Sequence, residues 1–198
     1  MAIPIHTRSY QCEAFAEDDG RLRVRGRLVD TKEQGLALVD GEPLEIHNMV
    51  IDLYVDPGTF EIVEVAASMD THPYDLCTSI LADYQQLVGL SISRGYSRRV
   101  KELFGGPNGC THIGALLQAM GPVAVQANWS LVNLHEDLES LAGERGDAED
   151  RERRVRLNTN TCHVWREDGP QMNAVSRGVA VSPDWEIDRL NQLGADAG

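Results

Sequence analysis

The chain is short of positive charge, of cysteine and of long apolar runs. Lys and Arg total 18 against 31 Asp and Glu, for a net charge of −13. Binding phosphate requires a positive surface, so nucleic acid is not an expected partner. No run reaches the roughly 18 apolar residues a membrane-spanning helix needs, and the start, residues 1–6, has no basic segment followed by an apolar one. No membrane partner is expected, and the cytoplasm is the default compartment. Four cysteines, at 12, 77, 110 and 162, are too few and too spread for a disulfide scaffold. There is no Gly-x-Ser-x-Gly to support a serine nucleophile. Gly105-Gly106-Pro107-Asn108-Gly109 lacks the Lys-Ser/Thr pair that completes a phosphate-binding loop.

What is present reads as strands first and helices later. His6 to Glu17 and Arg21 to Val29 flank Asp18-Asp19-Gly20, a hairpin signal. Leu22, Val24 and Leu28 lie opposite Arg21, Arg23, Arg25 and Arg27; that arginine face is expected to be solvated and paired with nearby acids. Leu44 to Val55 and Phe60 to Met69 flank Asp56-Pro57-Gly58-Thr59, where Gly58 is expected to take positive φ. The period then changes. Asp75 to Val88, Gly95 to Phe104 and Cys110 to Ala127 read as helices, the last kinked or split at Gly121-Pro122, and Trp129 to Leu141 as a continuation. Residues 143–156 read as a charged connector and Val155 to Trp165 as a late strand. The expected organisation is an α+β core over 1–142, the connector, and a C-terminal strand and tail over 157–198 packing on the core. Strands followed by helices imply an antiparallel sheet of hairpins under a helical layer.

Chemistry-bearing side chains gather at element ends, where a fold brings distant residues together on rigid backbone. His47 is near the start of a strand, Cys77 in the first turn of a helix, and Cys110 and His112 open another behind a Gly-rich loop. Helix N-termini favour thiolate, and thiolate with neutral imidazole suits zinc or iron(II). His47, Cys77 and Cys110 are therefore the expected metal ligands. Glu45, two residues before His47 and so expected on its strand face, would be a further ligand or a general base. Cys162-His163 either joins the same pocket or forms a strand pair in the core. Cys12 reads as core. The bland alternative for each cysteine is a small buried hydrophobe.

His6-Thr7-Arg8, Asp30-Thr31-Lys32, Ile46-His47-Asn48-Met49, Pro73-Tyr74 with Cys77, Leu87-Val88-Gly89-Leu90, Gly95-Tyr96 with Arg98-Arg99, Gly109-Cys110-Thr111-His112-Ile113 and the late Cys162-His163 together resemble, over most of residues 5–165, a bacterial family known only as a domain of unknown function. Members similar to this chain accompany aromatic and acyl-compound catabolism. Some resemble lyases that release formaldehyde from lignin-derived diaryl compounds. The order of elements from residue 45 to about 125 is also similar to the U-type iron–sulfur cluster scaffolds. There Cys77 and Cys110 match the second and third cysteines, and Glu45-Ile46-His47 falls where the first would be. Losing a thiolate there implies a mononuclear zinc or iron(II) with an open position rather than a labile cluster.

These resemblances imply a metal-dependent lyase acting on a small aromatic molecule by a retro-aldol step. His112 would be the general base, with Glu45 and Tyr96 as further catalytic residues. His72, Tyr74 and Tyr96 would line the aromatic pocket, and Arg98 or Arg99 would meet a carboxylate. Two other classes stay open: a metal-dependent hydrolase of an acyl or thioester compound, and a non-catalytic metal or iron–sulfur carrier. The apolar face of the helix after Cys110 is either core or a contact in a homo-oligomer.

Overall fold

Period-two alternation dominates the first third of the chain, and it builds a four-stranded antiparallel meander. The computed structural model describes residues 2–33, 42–134 and 158–177. The chain divides into two units, Met1–Glu136 and Asp137–Gly198. In the first, β1 (Thr7–Ala16), β2 (Leu22–Lys32), β3 (Leu44–Val55) and β4 (Ile62–Thr71) pair in that order. Leu22, Val24 and Leu28 of β2 and Met49, Ile51, Leu53 and Val55 of β3 are buried on one face. On the other, Arg21 pairs with Asp19 and Glu64, Arg23 with Glu17 and Asp52, and Arg25 with Asp52. The arginine row is a paired sheet face.

The second turn differs from expectation. Gly58 does not have positive φ; Phe60 does, at 62°. The Asp56 carboxylate accepts from the Thr59 N–H and hydroxyl, and the Phe60 N–H donates to the Asp56 carbonyl 2.8 Å away. Acceptor capping by Asp56 widens the turn by one residue, and Phe60 takes the left-handed position that closes it.

Helices cover the apolar face. A 3-10 helix (Asp75–Leu87) packs beside β4, its Gln85 amide donating to the Val65 carbonyl at 2.8 Å. Then come α1 (Tyr96–Phe104) and α2 (Thr111–Leu134). Pro122 neither ends nor splits α2. Met120 and Ala124 on either side are fully buried against the sheet, and that packing outweighs one lost backbone hydrogen bond. Ile113, Leu116, Leu117 and Met120 are core, so this apolar face is spent within the chain. No helix among the described residues is long and apolar enough to cross a membrane.

In the second unit the described residues hold turns and α3 (Pro170–Ser176). The late strand is not formed over Asn158–Trp165. The Asn160 N–H donates to the Trp165 carbonyl, the Thr161 hydroxyl to the Asn158 carbonyl, and Asn160 has φ of 59°. Asn and Thr side chains offer local partners that compete with a ladder, and here they win. Cys162 is exposed in this turn rather than paired in a core strand. The expected charged connector 143–156 and the helical continuation beyond Leu134 lie outside the described residues.

Close docking of α2 on β2 depends on Gly26. A Cβ there would meet the Met120 sulfur at 2.6 Å and Leu116 Cγ at 2.9 Å. Gly26→Val is expected to lower stability by about 1–3 kcal/mol through overpacking, read by urea denaturation with an unchanged m-value. A neutral result would mean that α2 sits further from the sheet.

Candidate functional site

The core face of β2 ends on a charge. Asp30 continues the alternation of Leu22, Val24, Gly26 and Leu28, and its side chain is 0% exposed. A buried carboxylate needs partners, and strand register supplies them from both sides. Arg8 of β1 pairs with Asp30 in one ladder and His47 of β3 pairs with it in the next. The guanidinium makes a fork, Nε to Oδ1 and Nη2 to Oδ2, both at 2.6 Å. His47 Nδ1 lies 2.8 Å from Oδ2, so a neutral His47 is held as the Nδ1–H tautomer with Nε2 as its acceptor.

The N-terminus of α2 brings the remaining parts. His112 Nε2 is 3.7 Å from Asp30 Oδ2, and the His47 and His112 rings stand 3.9 Å apart, centre to centre. His112 Nδ1 is 3.6 Å from Cys110 Sγ, which also touches the Met49 sulfur at 4.0 Å. His6 Nε2 closes the ring, 3.6 Å from Asp30 Oδ1. Two details fix the Gly-Cys-Thr-His segment. A Cβ on Gly109 would meet the Phe104 carbonyl oxygen at 2.6 Å, so only glycine lets the chain pass. The Cys110 N–H donates to the buried Tyr84 hydroxyl at 3.3 Å, tying the segment to the 3-10 helix.

The electrostatics follow from these contacts. Arg8 holds the Asp30 carboxyl down to about 2, against the opposing effect of burial and with His47 assisting. Burial lowers the His112 pKa, as do His47 and Arg8, while Asp30 opposes them. His112 is therefore neutral at pH 7 and able to accept a proton or a metal. Burial pushes the Tyr84 phenol up to about 12, so it stays a neutral hydroxyl.

Of the residues singled out by sequence, the fold brings together His47, Cys110 and His112. Cys77 is in the 3-10 helix, partly buried against the core, and is not part of the Asp30, His47 and His112 group. Glu45 does not share the face of His47. The ladder pairs Asp30 with His47 but Thr31 with Glu45, so a bulge at Ile46 reverses the alternation. The Glu45 carboxylate instead accepts from Asn48 and Thr71. Tyr96 is a core residue packed under Gly121, its hydroxyl buried without a hydrogen-bond partner. His72 contacts the Tyr74 carbonyl, Tyr74 is 74% exposed, and Arg98 and Arg99 both pair with Glu102 on α1. None of these ion pairs or hydrogen bonds reaches Asp30, His47 or His112. Asp30, Arg8 and His6 were not singled out as site residues by sequence reasoning. The signal for Asp30 was available, a carboxylate in step with a core face.

A model of the DUF2889 family, described as proteins of unknown function, matches residues 6–126. The chain belongs to that family. No curated protein and no solved structure is significantly similar to it. The DUF2889 match spans every residue of the cluster, from His6 to His112.

Asp30, His47 and His112 could hold a metal: one ligand atom from each lies within 4.8 Å of the others. The donor chemistry fits. A carboxylate and two imidazoles suit zinc or iron(II). Arg8 and His47 use three of the roughly four lone-pair sites of the carboxylate, two of them on Oδ2, and the fourth lies on Oδ1 on the side of His6.

Asp30→Asn is expected to cost on the order of 3 kcal/mol, because it leaves Arg8 without its carboxylate. Because the folded carboxyl is depressed, its contribution is complete above about 3.8 and is lost as pH falls towards about 2. Urea titrations of wild type and variant across pH 2–5 should converge at the acid end; parallel curves would refute the pairing.

Proposed function

We propose that this DUF2889 protein is a lyase of small aromatic compounds that releases formaldehyde from a hydroxymethyl substituent, with His112 as the proton acceptor. The observation that carries this reading is the imidazole pair at 3.9 Å, set against a buried carboxylate that orients only one of the two rings. His47 is fixed by Asp30 at 2.8 Å. His112 stands off at 3.7 Å, partly exposed and neutral, as a general base must be.

The step balances as follows. A para-phenolate first expels a benzylic leaving group and becomes a quinone methide. His112 then takes the hydroxymethyl O–H proton, and the carbon–oxygen double bond of formaldehyde forms as the carbon–carbon bond breaks. The released electron pair enters the quinone methide and restores the phenolate. Asp30 compensates the imidazolium that forms beside it, and Arg8 keeps Asp30 ionised throughout.

A metal dependence rests on the same donors. Asp30, His47 and His112 would hold the ion, zinc or iron(II); in that form His112 would be a ligand in place of the base, and the ion would supply Lewis-acid polarisation of the hydroxymethyl oxygen. Support for an iron–sulfur carrier is weaker, because the converging donors are imidazole and carboxylate rather than thiolates. One contact favours a second reading, a hydrolase of acyl or thioester compounds. Cys110, His112 and Asp30 follow in the order nucleophile, base and orienter, at 3.6 and 3.7 Å.

Incubation with hydroxymethyl-bearing diaryl phenols is expected to yield formaldehyde, and His112→Gln to slow release by about a hundredfold or more at unchanged stability. Release of a free acid or thiol, abolished by Cys110→Ala, would instead establish the hydrolase. Elemental analysis of protein purified without an affinity tag addresses the ion separately. A stoichiometric divalent metal, lost in His47→Ala and in Asp30→Ala, would make His112 a ligand rather than the base. Metal-free protein with full activity would remove the ion from the mechanism and leave His112 as the base.

A further inference from the structure

The proposed chemistry leaves one wall of the site unassigned. His6 just before β1, and Arg8 and Tyr10 within it, alternate along the chain and so share a face. Each is partly exposed where the Asp30 carboxylate is not. Arg8 is 35% exposed, His6 is 33%, and Arg8 also interacts with the Tyr10 side chain. A guanidinium has five N–H donors, and Asp30 takes two of them.

Several arginines elsewhere are committed to acids, and Arg27 donates to the Asn48 amide oxygen. Arg21, Arg23 and Arg25 are matched by Asp19, Glu17, Glu64 and Asp52, and Arg98 and Arg99 share Glu102. Around Asp30 the ratio inverts: Arg8, His6, His47 and His112 all contact this one acid. On a chain with net charge −13, basic groups here outnumber the acid they pair with. An anion approaching this group meets N–H donors, whereas Arg21, Arg23 and Arg25 are already paired with acids.

We propose that Arg8, His6 and Tyr10 form a carboxylate subsite, so that the substrate is a small aromatic acid whose carboxylate docks on the outward donors of Arg8. Tyr10 offers a hydroxyl and a ring edge to the attached aromatic, and His6 offers a further N–H. The subsite rests on the lyase reading for the chemistry next to it, but binding is measured independently of turnover.

The test titrates the full wild-type chain with benzoate, benzyl alcohol and acetate, following the histidine ring C–H resonances by NMR, with His6 assigned from His6→Gln. Benzoate is expected to shift the His6 and His112 signals saturably and to bind about tenfold or more tighter than benzyl alcohol, the worth of one charge-assisted contact. Arg8→Lys should lose about tenfold in benzoate affinity, since an ammonium cannot hold Asp30 and a second carboxylate with a planar fork. Because Arg8 also supports Asp30, Tyr10→Phe and His6→Gln serve as variants that leave the fork and the Asp30–His47 contact in place. Each should weaken benzoate several-fold and leave benzyl alcohol unchanged. Equal binding of benzoate and benzyl alcohol, no binding of benzoate at millimolar concentration, or benzoate binding indifferent to all three substitutions would overturn the proposal. The two readings fail separately. Benzoate binding without formaldehyde release sinks only the lyase, whereas equal KM for carboxylated and carboxyl-free hydroxymethyl substrates sinks only the subsite.

Discussion

A carboxylate at 0% exposure on the core face of a sheet constrains everything around it. Left alone, Asp30 would cost several kcal/mol or take up a proton. It stays ionised because its two neighbouring strands each present a partner at the same level, Arg8 from β1 and His47 from β3. The hydrogen bonds that hold the sheet together therefore also set the charge state of the site. Any slip of one residue in either ladder would turn Arg8 or His47 to the opposite face and strand the acid.

The helical layer is fitted to the same point. α2 reaches β2 closely because Gly26 offers no Cβ, and its first turn arrives beside Asp30 because Gly109 lets the chain pass against Phe104. The Tyr84 hydroxyl then accepts the Cys110 N–H, so the 3-10 helix braces the segment from below. His112 thus inherits its position from three separate packing contacts, while its own polar contacts are loose, at 3.6 and 3.7 Å. Held by packing rather than by strong hydrogen bonds, His112 keeps a ring nitrogen available.

Much of this was legible in the sequence, and the misses have physical causes. The meander, the two hairpin turns and the opening of α2 follow from alternation and from turn residues. His47, Cys110 and His112 could be marked because imidazole and thiol at element ends are uncommon. Asp30 and Arg8 were harder to see, since each belongs to a residue type abundant on any surface. The hairpin register counted back from Asp18-Asp19-Gly20 sets Arg8 opposite Asp30, and the alternation from Leu22 sets Asp30 inside. Glu45 was misplaced for the converse reason: no local sequence cue announces the bulge at Ile46, and one extra residue reverses a face. Cys77 was drawn in by its position at a helix start, which the structure keeps, but the 3-10 helix presents it to the core.

The chemistry of the centre follows from which donors converged. A thiolate set would have pointed towards a cluster or a tightly closed zinc site. Here a carboxylate already neutralised by arginine meets one imidazole at 2.8 Å and another at 3.7 Å, a difference on which the proposed proton transfer rests. Protonating His112 would place a cation beside His47 and Asp30, favoured by the carboxylate and opposed by burial, His47 and Arg8. Arg8, through its fork on the carboxylate, is what keeps Asp30 an anion beside two histidines that it holds unequally.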